Sequence, residues 1–171
     1  FDTMLVHHAG NPDPTFAAVI EHLPATIARG LYKAEMDMGD KVDEWAASAV
    51  AQAKMIKTLH DNGVQIVPGS DHMAAFTIHR ELELYAKAGI ANVEVLKIAS
   101  LDSARIVGVD DRTGSITVGK DSDLILVEGN PLEDMSAIRR ATLVMKGDTA
   151  YQPDQLYKTV GVAPFLESEA L

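Results

Sequence analysis

Residues 40–62 carry the longest helical periodicity in the chain. Val42, Trp45, Ala46, Ala49, Val50, Ala53, Ile56 and Leu59 recur at three- and four-residue spacing and predict one apolar helix face. Gly63 follows Asn62 and suits the left-handed residue that ends such a helix. The period then changes. Residues 64–67, Val-Gln-Ile-Val, are too short for a helix and rich in β-branched residues. They predict a strand apolar on both faces, of the kind found in parallel sheets covered by helices. Pro68-Gly69-Ser70 ends it, and Asp71 and His72 follow.

The flanking patterns extend an alternation of helix and strand. Upstream, Asp13 suits a helix cap and Pro14 the first helical position. Phe16, Val19, Ile20 and Leu23 predict one helical face, and Pro24 a kink or a second helix ending at Gly30. Residues 31–40, with Met36 and Met38, read as a loop that could contribute to a lid or be ordinary surface. Downstream, residues 75–87 predict a helix with Ile78, Leu82 and Tyr85 inward, stopped by Gly89. Residues 91–100 and 101–107 predict two shorter helices around Val93, Leu96, Ile98 and Ala104.

After Gly108 the texture becomes β-rich. Residues 110–131 hold β-branched runs separated by Gly-Ser, Gly-Lys and Gly-Asn, which predict short strands joined by turns, strongest at 124–127. A helical turn at 131–139, strands at 141–146 and 149–151 about a Gly147-Asp148 turn, and a small helix at 153–159 complete the pattern. Residues 115–127 and 141–151 are expected to form one antiparallel unit. The expected organisation is therefore a helix-rich α/β part over 1–107, a β-rich segment over 108–151, and a tail over 152–171 with a short helix.

Composition narrows the function classes. The 171 residues carry a net charge of −10 and 47% hydrophobic residues. Such a charge repels phosphate, so nucleic acid is not an expected partner. No run of 18 apolar residues is present, so no membrane span is expected. With no secretory signal visible, the weak expectation for location is the cytoplasm. The absence of cysteine excludes disulfides and thiolate metal sites. The chain begins Phe1-Asp2-Thr3 without an initiator Met, which raises the expectation of a longer protein.

Asp71 is the candidate with chemistry. Ligands of parallel α/β sheets bind at the carboxyl ends of strands, where Asp71 would sit. A carboxylate there can ligate a metal or take a proton from water. Asp71 could equally cap the following helix, or Ser70 could cap it with Asp71 in the first turn; position alone leaves these open. The histidines are weaker. His72 and His79 lie seven apart rather than at the four-residue ligand spacing. His7 and His8 are adjacent and face different ways on a helix or strand. His22 and His60 read as inert residues at exposed helix edges. The run His79-Arg80-Glu81-Leu82-Glu83 reads as a solvated face with a local salt bridge. No P-loop, dinucleotide loop or serine elbow is present.

Three motifs in order resemble the C-terminal half of metal-dependent amidohydrolases, in the imidazolonepropionase-like branch that includes prolidase-type members. They are the apolar strand followed by Gly69-Ser70-Asp71, the run from His79 to Glu83 closed by Ala88-Gly89, and the segment from Gly114 to Val127 containing Gly119-Lys120 and Asp123-Leu124. The resemblance implies the C-terminal part of a TIM (β/α)8 barrel plus part of a small β-sandwich, with residues 64–67 as the eighth strand. It implies that Asp71 is both catalytic and metal-contacting, accepting a proton from metal-bound water and passing it to the leaving amine. The cofactor implied is a divalent metal, zinc by preference, in the complete enzyme and none in this chain alone. One carboxylate cannot hold zinc, which takes four donors.

The expected activity is hydrolysis of a carbon–nitrogen bond in a small molecule: amide, cyclic amide or peptide. The family's His-x-His pair and its middle-strand ligands have no counterpart here, so the chain by itself is expected to be inactive. The expected partner is the rest of the barrel or a second copy. The competing expectation is a non-catalytic binding or assembly module, whose exposed strand edges pair with another chain.

Overall fold

A computed structural model describes residues 10–12, 15–33, 39–70 and 76–166. Asp71, His72, the His7-His8 pair, Asp13, Pro14, Met36 and Met38 lie outside the described residues. The helices are α1 Ala25–Gly30, α2 Val42–Asp61, α3 Thr77–Lys87, α4 Asn92–Lys97, α5 Ser103–Ile106 and α6 Pro153–Thr159. The strands are β1 Leu124–Val127, β2 Ala141–Lys146 and β3 Thr149–Tyr151, in one antiparallel sheet of order β1-β2-β3. Short 3-10 turns span Ile20–His22, Gly39–Lys41 and Met135–Arg139.

Local signals in the sequence become local structure. Helix α2 ends as Gly63 swings to φ +73°, and its N–H and that of Val64 close on the His60 and Leu59 carbonyls. The apolar stripe of α2 is only half-buried: none of its residues is fully buried, and Val50 is 71% exposed. The expected N-terminal helix is tighter than its pattern suggests. Phe16, Val19 and Ile20 are buried as the spacing requires, but on turns and the 3-10 segment. Pro24 holds Leu23 extended at ψ 150°, which stops a longer helix.

The two expected helices over 91–107 form one rod. A five-residue π segment, Ile98–Asp102, joins α4 to α5, and Ser103 donates both its N–H and its hydroxyl (2.6 Å) to the Ile98 carbonyl. Gly114, at φ +83°, packs where a Cβ would lie 2.6 Å from the Ala104 Cβ, so this turn and α5 approach only because no side chain intervenes.

In the β-rich segment the register runs Leu124↔Met145 to Leu126↔Leu143, then Val127↔Ala141 after an irregularity. Val144 to Lys146 pair with Tyr151 to Thr149. The Asp123 carboxylate accepts from the Lys146 ammonium (2.5 Å) and the Gly147 N–H (3.2 Å), tying the start of β1 to the next turn. Residues 115–123 are not strand, which corrects the expectation that the antiparallel unit begins at 115. Ile116 and Val118 are fully open to solvent. That loop is held instead by the Lys120 ammonium, which donates to the Asp110 and Thr113 carbonyls and the Ser115 hydroxyl.

Two cores result. The larger joins Leu82, Tyr85, Ile90, Val95 and Ile98 from the helices to Met135 and Ile138, with Ile56 and Ile66 packed against it. The smaller joins Phe16, Val19, Phe76 and Val162, with Leu23, Leu31, Tyr157 and Phe165. The start of α3 lies between them. Among the described residues, no helix is long and apolar enough to cross a membrane.

Candidate functional site

Residues 64–70 leave the end of α2 without regular secondary structure and meet α3 at Val67 and Ser70. They are not paired in a ladder among the described residues, which departs from the strand expected at 64–67. The physical reason is visible in their burial. Ile66 packs into the larger core, while Val64 is 48% and Val67 45% exposed. A sequence apolar on both faces needs cover on both, and the described residues cover one.

What holds this segment is α3. The Tyr85 hydroxyl donates to the Val67 carbonyl at 3.0 Å. The Ser70 and Thr77 hydroxyls are hydrogen-bonded to each other. Between these two contacts stands Glu81. Burial pushes its carboxyl above the ordinary value, and hydrogen bonding toward Tyr85 and Gly69 offsets part of that rise. Tyr85 is pushed up to about 12, by burial first and then by the charge of Glu81. The phenol has a single hydrogen, so it serves the Val67 carbonyl or the Glu81 carboxylate at any one time.

The opposite side of α3 carries a second polar cluster. Arg139, its side chain 5% exposed, donates from Nε to Glu83 Oε1 at 2.6 Å across 56 residues of sequence. Arg80 lies 3.6 Å from the other Glu83 oxygen. This corrects the reading of residues 79–83 as a solvated face: the turn Met135–Arg139 covers it. His79 is likewise not a surface residue. Among the described residues its buried Nδ1 has no hydrogen-bond partner, and burial followed by the Arg139 charge depresses its pKa, with Glu83 opposing. His22 is not idle either, since it bonds the Ala163 carbonyl at 2.9 Å and stacks on Phe165 with ring centroids 4.0 Å apart.

The His79 environment has a pH consequence. A histidine whose folded pKa is depressed binds its proton more readily when unfolded. Its contribution to stability is complete above the unfolded value near 6.5 and is lost as pH falls below it toward the folded value. The thermal midpoint is therefore expected to drop between pH 7.5 and pH 5.5 by less in His79→Gln than in the natural protein. Equal drops in the two would show that His79 does not carry this dependence.

No group of three or more His, Asp or Glu side chains converges to hold a metal ion among the described residues. Among the described residues before Asp71, Val67 and Ser70 are each hydrogen-bonded to a residue of α3. The periodicity of α3 gave Leu82 and Tyr85 as inward residues. It did not distinguish the apolar ring of Tyr85 from the polar task of its hydroxyl, and it did not single out Glu81.

Comparison with known proteins fits this arrangement. The model of the amidohydrolase family matches residues 3–151. An ochratoxinase from Aspergillus niger is 27% identical over 155 residues, which is 88% of this chain and 30% of that protein. The solved structure of a Xaa-Pro dipeptidase with methionine bound in its active site is 27% identical, with a TM-score of 0.58 over 81% of this chain and 34% of that one. A proposed prolidase from Bifidobacterium longum is also 27% identical, with a TM-score of 0.54 over 86% of this chain and 38% of that structure. The chain thus spans about a third of the length of the relatives it matches. With the family model covering all but the first two and the last twenty residues, this chain belongs to the amidohydrolase family.

Proposed function

We propose that this chain is the portion of a carbon–nitrogen bond hydrolase that carries its proton-transferring aspartate, Asp71. The observation that supports it best is the family match over residues 3–151, which includes residues 64–67 and the Gly69-Ser70-Asp71 that follows them. In this reading the Asp71 carboxylate takes a proton from the attacking water. It then gives that proton to the departing nitrogen, which must leave as an amine rather than an amide anion. The substrate class is an amide, cyclic amide or peptide; the likeness to a Xaa-Pro dipeptidase supports peptides first.

The described residues do not themselves fit a metal centre. Asp71 is the one donor this chain is proposed to supply, and the others would come from the part of the protein beyond it. A divalent ion held there, zinc by preference, would lower the pKa of its bound water toward about 7.

The test is hydrolysis of a panel of dipeptides and N-acyl amino acids by the full-length protein, before and after chelation. Activity is expected on at least one amide, to vanish on metal removal, and to return with zinc or another divalent ion. Activity unchanged by complete metal removal would overturn the metal part of the reading, and inactivity on every amide would overturn the reaction class.

A further inference from the structure

We propose that Arg139 and His79 form a buried site for one small oxoanion, a carboxylate or a phosphate-like group, where α3 meets the turn Met135–Arg139.

The Arg139 side chain is 5% exposed, and its Nε donates to Glu83 Oε1 at 2.6 Å. That bond uses one donor of the guanidinium. Nη1 and Nη2 are buried, and among the described residues neither has a hydrogen-bond partner. His79 stands one turn before Glu83 on α3, so the two side chains share a side of the helix. The buried His79 Nδ1 is likewise unmatched among the described residues. The Arg139 charge acts on the His79 imidazole and on the Tyr157 hydroxyl of α6, so all three lie within electrostatic reach. Buried polar atoms are nearly always satisfied, and orphans gathered about one ion pair call for a partner.

Glu83 does not complete the set. Its second oxygen lies 3.6 Å from Arg80, so one negative charge is contacted by two guanidinium groups. A buried cation that is only partly answered loses hydration that nothing returns. The terminal edge of a guanidinium presents two parallel N–H bonds, which match two oxygens of one carboxylate or phosphate. An imidazole in its Nδ1–H tautomer adds a donor in the same neighbourhood. A single water could bridge some of these atoms, but it carries no charge to set against the guanidinium. A free anion and an acidic side chain from the remainder of the protein share the required chemistry.

The experiment titrates the full-length protein with sodium phosphate and sodium acetate at constant ionic strength, with sodium chloride as control, by calorimetry and by thermal midpoint. Crystals of the same protein are soaked in selenate. Saturable phosphate binding is expected, with a rise in midpoint that chloride does not give and a selenium anomalous peak within hydrogen-bond distance of Nη1 and Nη2. Arg139→Lys keeps a cation for Glu83 and loses the fork. It should weaken phosphate by about 10- to 100-fold, the cost of lost hydrogen bonds to a charged group. His79→Leu should weaken it by about 2- to 10-fold. A carboxylate side chain from beyond this chain seated on the Nη edge in the crystal would support the site and identify its occupant as internal. Water alone on that edge would overturn the proposal. So would phosphate affinity unchanged in Arg139→Lys, which would mark an adventitious ion only or binding elsewhere. If Arg139→Lys does not fold, the anomalous map and His79→Leu decide.

Discussion

Asp71→Asn in the full-length protein is expected to lower kcat by about 10²- to 10⁴-fold, the usual contribution of a positioned general base. The amide has nearly the shape of the carboxylate. It lacks the negative charge, and it cannot hold a proton between water and leaving nitrogen. The thermal midpoint should therefore stay close to that of the natural protein while hydrolysis is lost. His72→Ala is the internal control, because no proton transfer is assigned to it, and its loss should be smaller. Both variants are to be compared at measured metal occupancy. A variant that lost activity only by losing metal would separate the ligand role of Asp71 from its proton-transfer role. Substantial activity in Asp71→Asn at full occupancy would mean that Asp71 serves as a helix cap.

How far the sequence could be read depended on how many residues each signal needs. The α2 terminus requires only five consecutive positions, and Gly63 announced it correctly. The Gly147 turn between β2 and β3 is equally local, and the strands on either side pair as expected. The pattern at 64–67 is different. Alternation and β-branching report that a segment suits burial in a sheet, but a strand exists only where a neighbour donates to it. Among the described residues none does, so the segment is unpaired. The same holds for Ile116 and Val118, whose β-branching has no partner strand to act on.

The site was partly legible for the same reason. Motif order pointed to Asp71 and to α3 as the helix that follows it. Nothing local pointed to Glu81 or the Tyr85 hydroxyl, since a Glu in a charged run and a Tyr on an apolar face each have an ordinary explanation. The Tyr85 hydroxyl meets the Val67 carbonyl, 18 positions upstream, which no local pattern reports.

Arg139 lies further out of reach of sequence reasoning, and its pairing leads to the largest stability effect expected. Glu83→Ala should destabilise the full-length protein by about 3–5 kcal/mol, the cost of leaving one charge of a buried pair uncompensated. Arg139 is 5% exposed and Glu83 17%, so solvent can do little to replace the lost partner. Among the described residues the buried Arg139 Nη1 and Nη2 atoms have no hydrogen-bond partner, and the guanidinium's hydrogen bond runs from Nε to Glu83. Removing Glu83 also withdraws the negative charge that opposes Arg139 at His79, so the imidazole should become harder still to protonate. The thermal midpoint of the full-length protein should fall with it. The double variant Glu83→Leu with Arg139→Met separates charge from packing. It removes both ions, keeps apolar volume between α3 and the Met135–Arg139 turn, and should recover most of the midpoint lost in Glu83→Ala. If the double variant is as unstable as the single one, the pair holds α3 in place by its geometry rather than by mutual neutralisation. If Glu83→Ala shifts the midpoint by less than about 2 °C, the pair contributes no more than an exposed surface bridge.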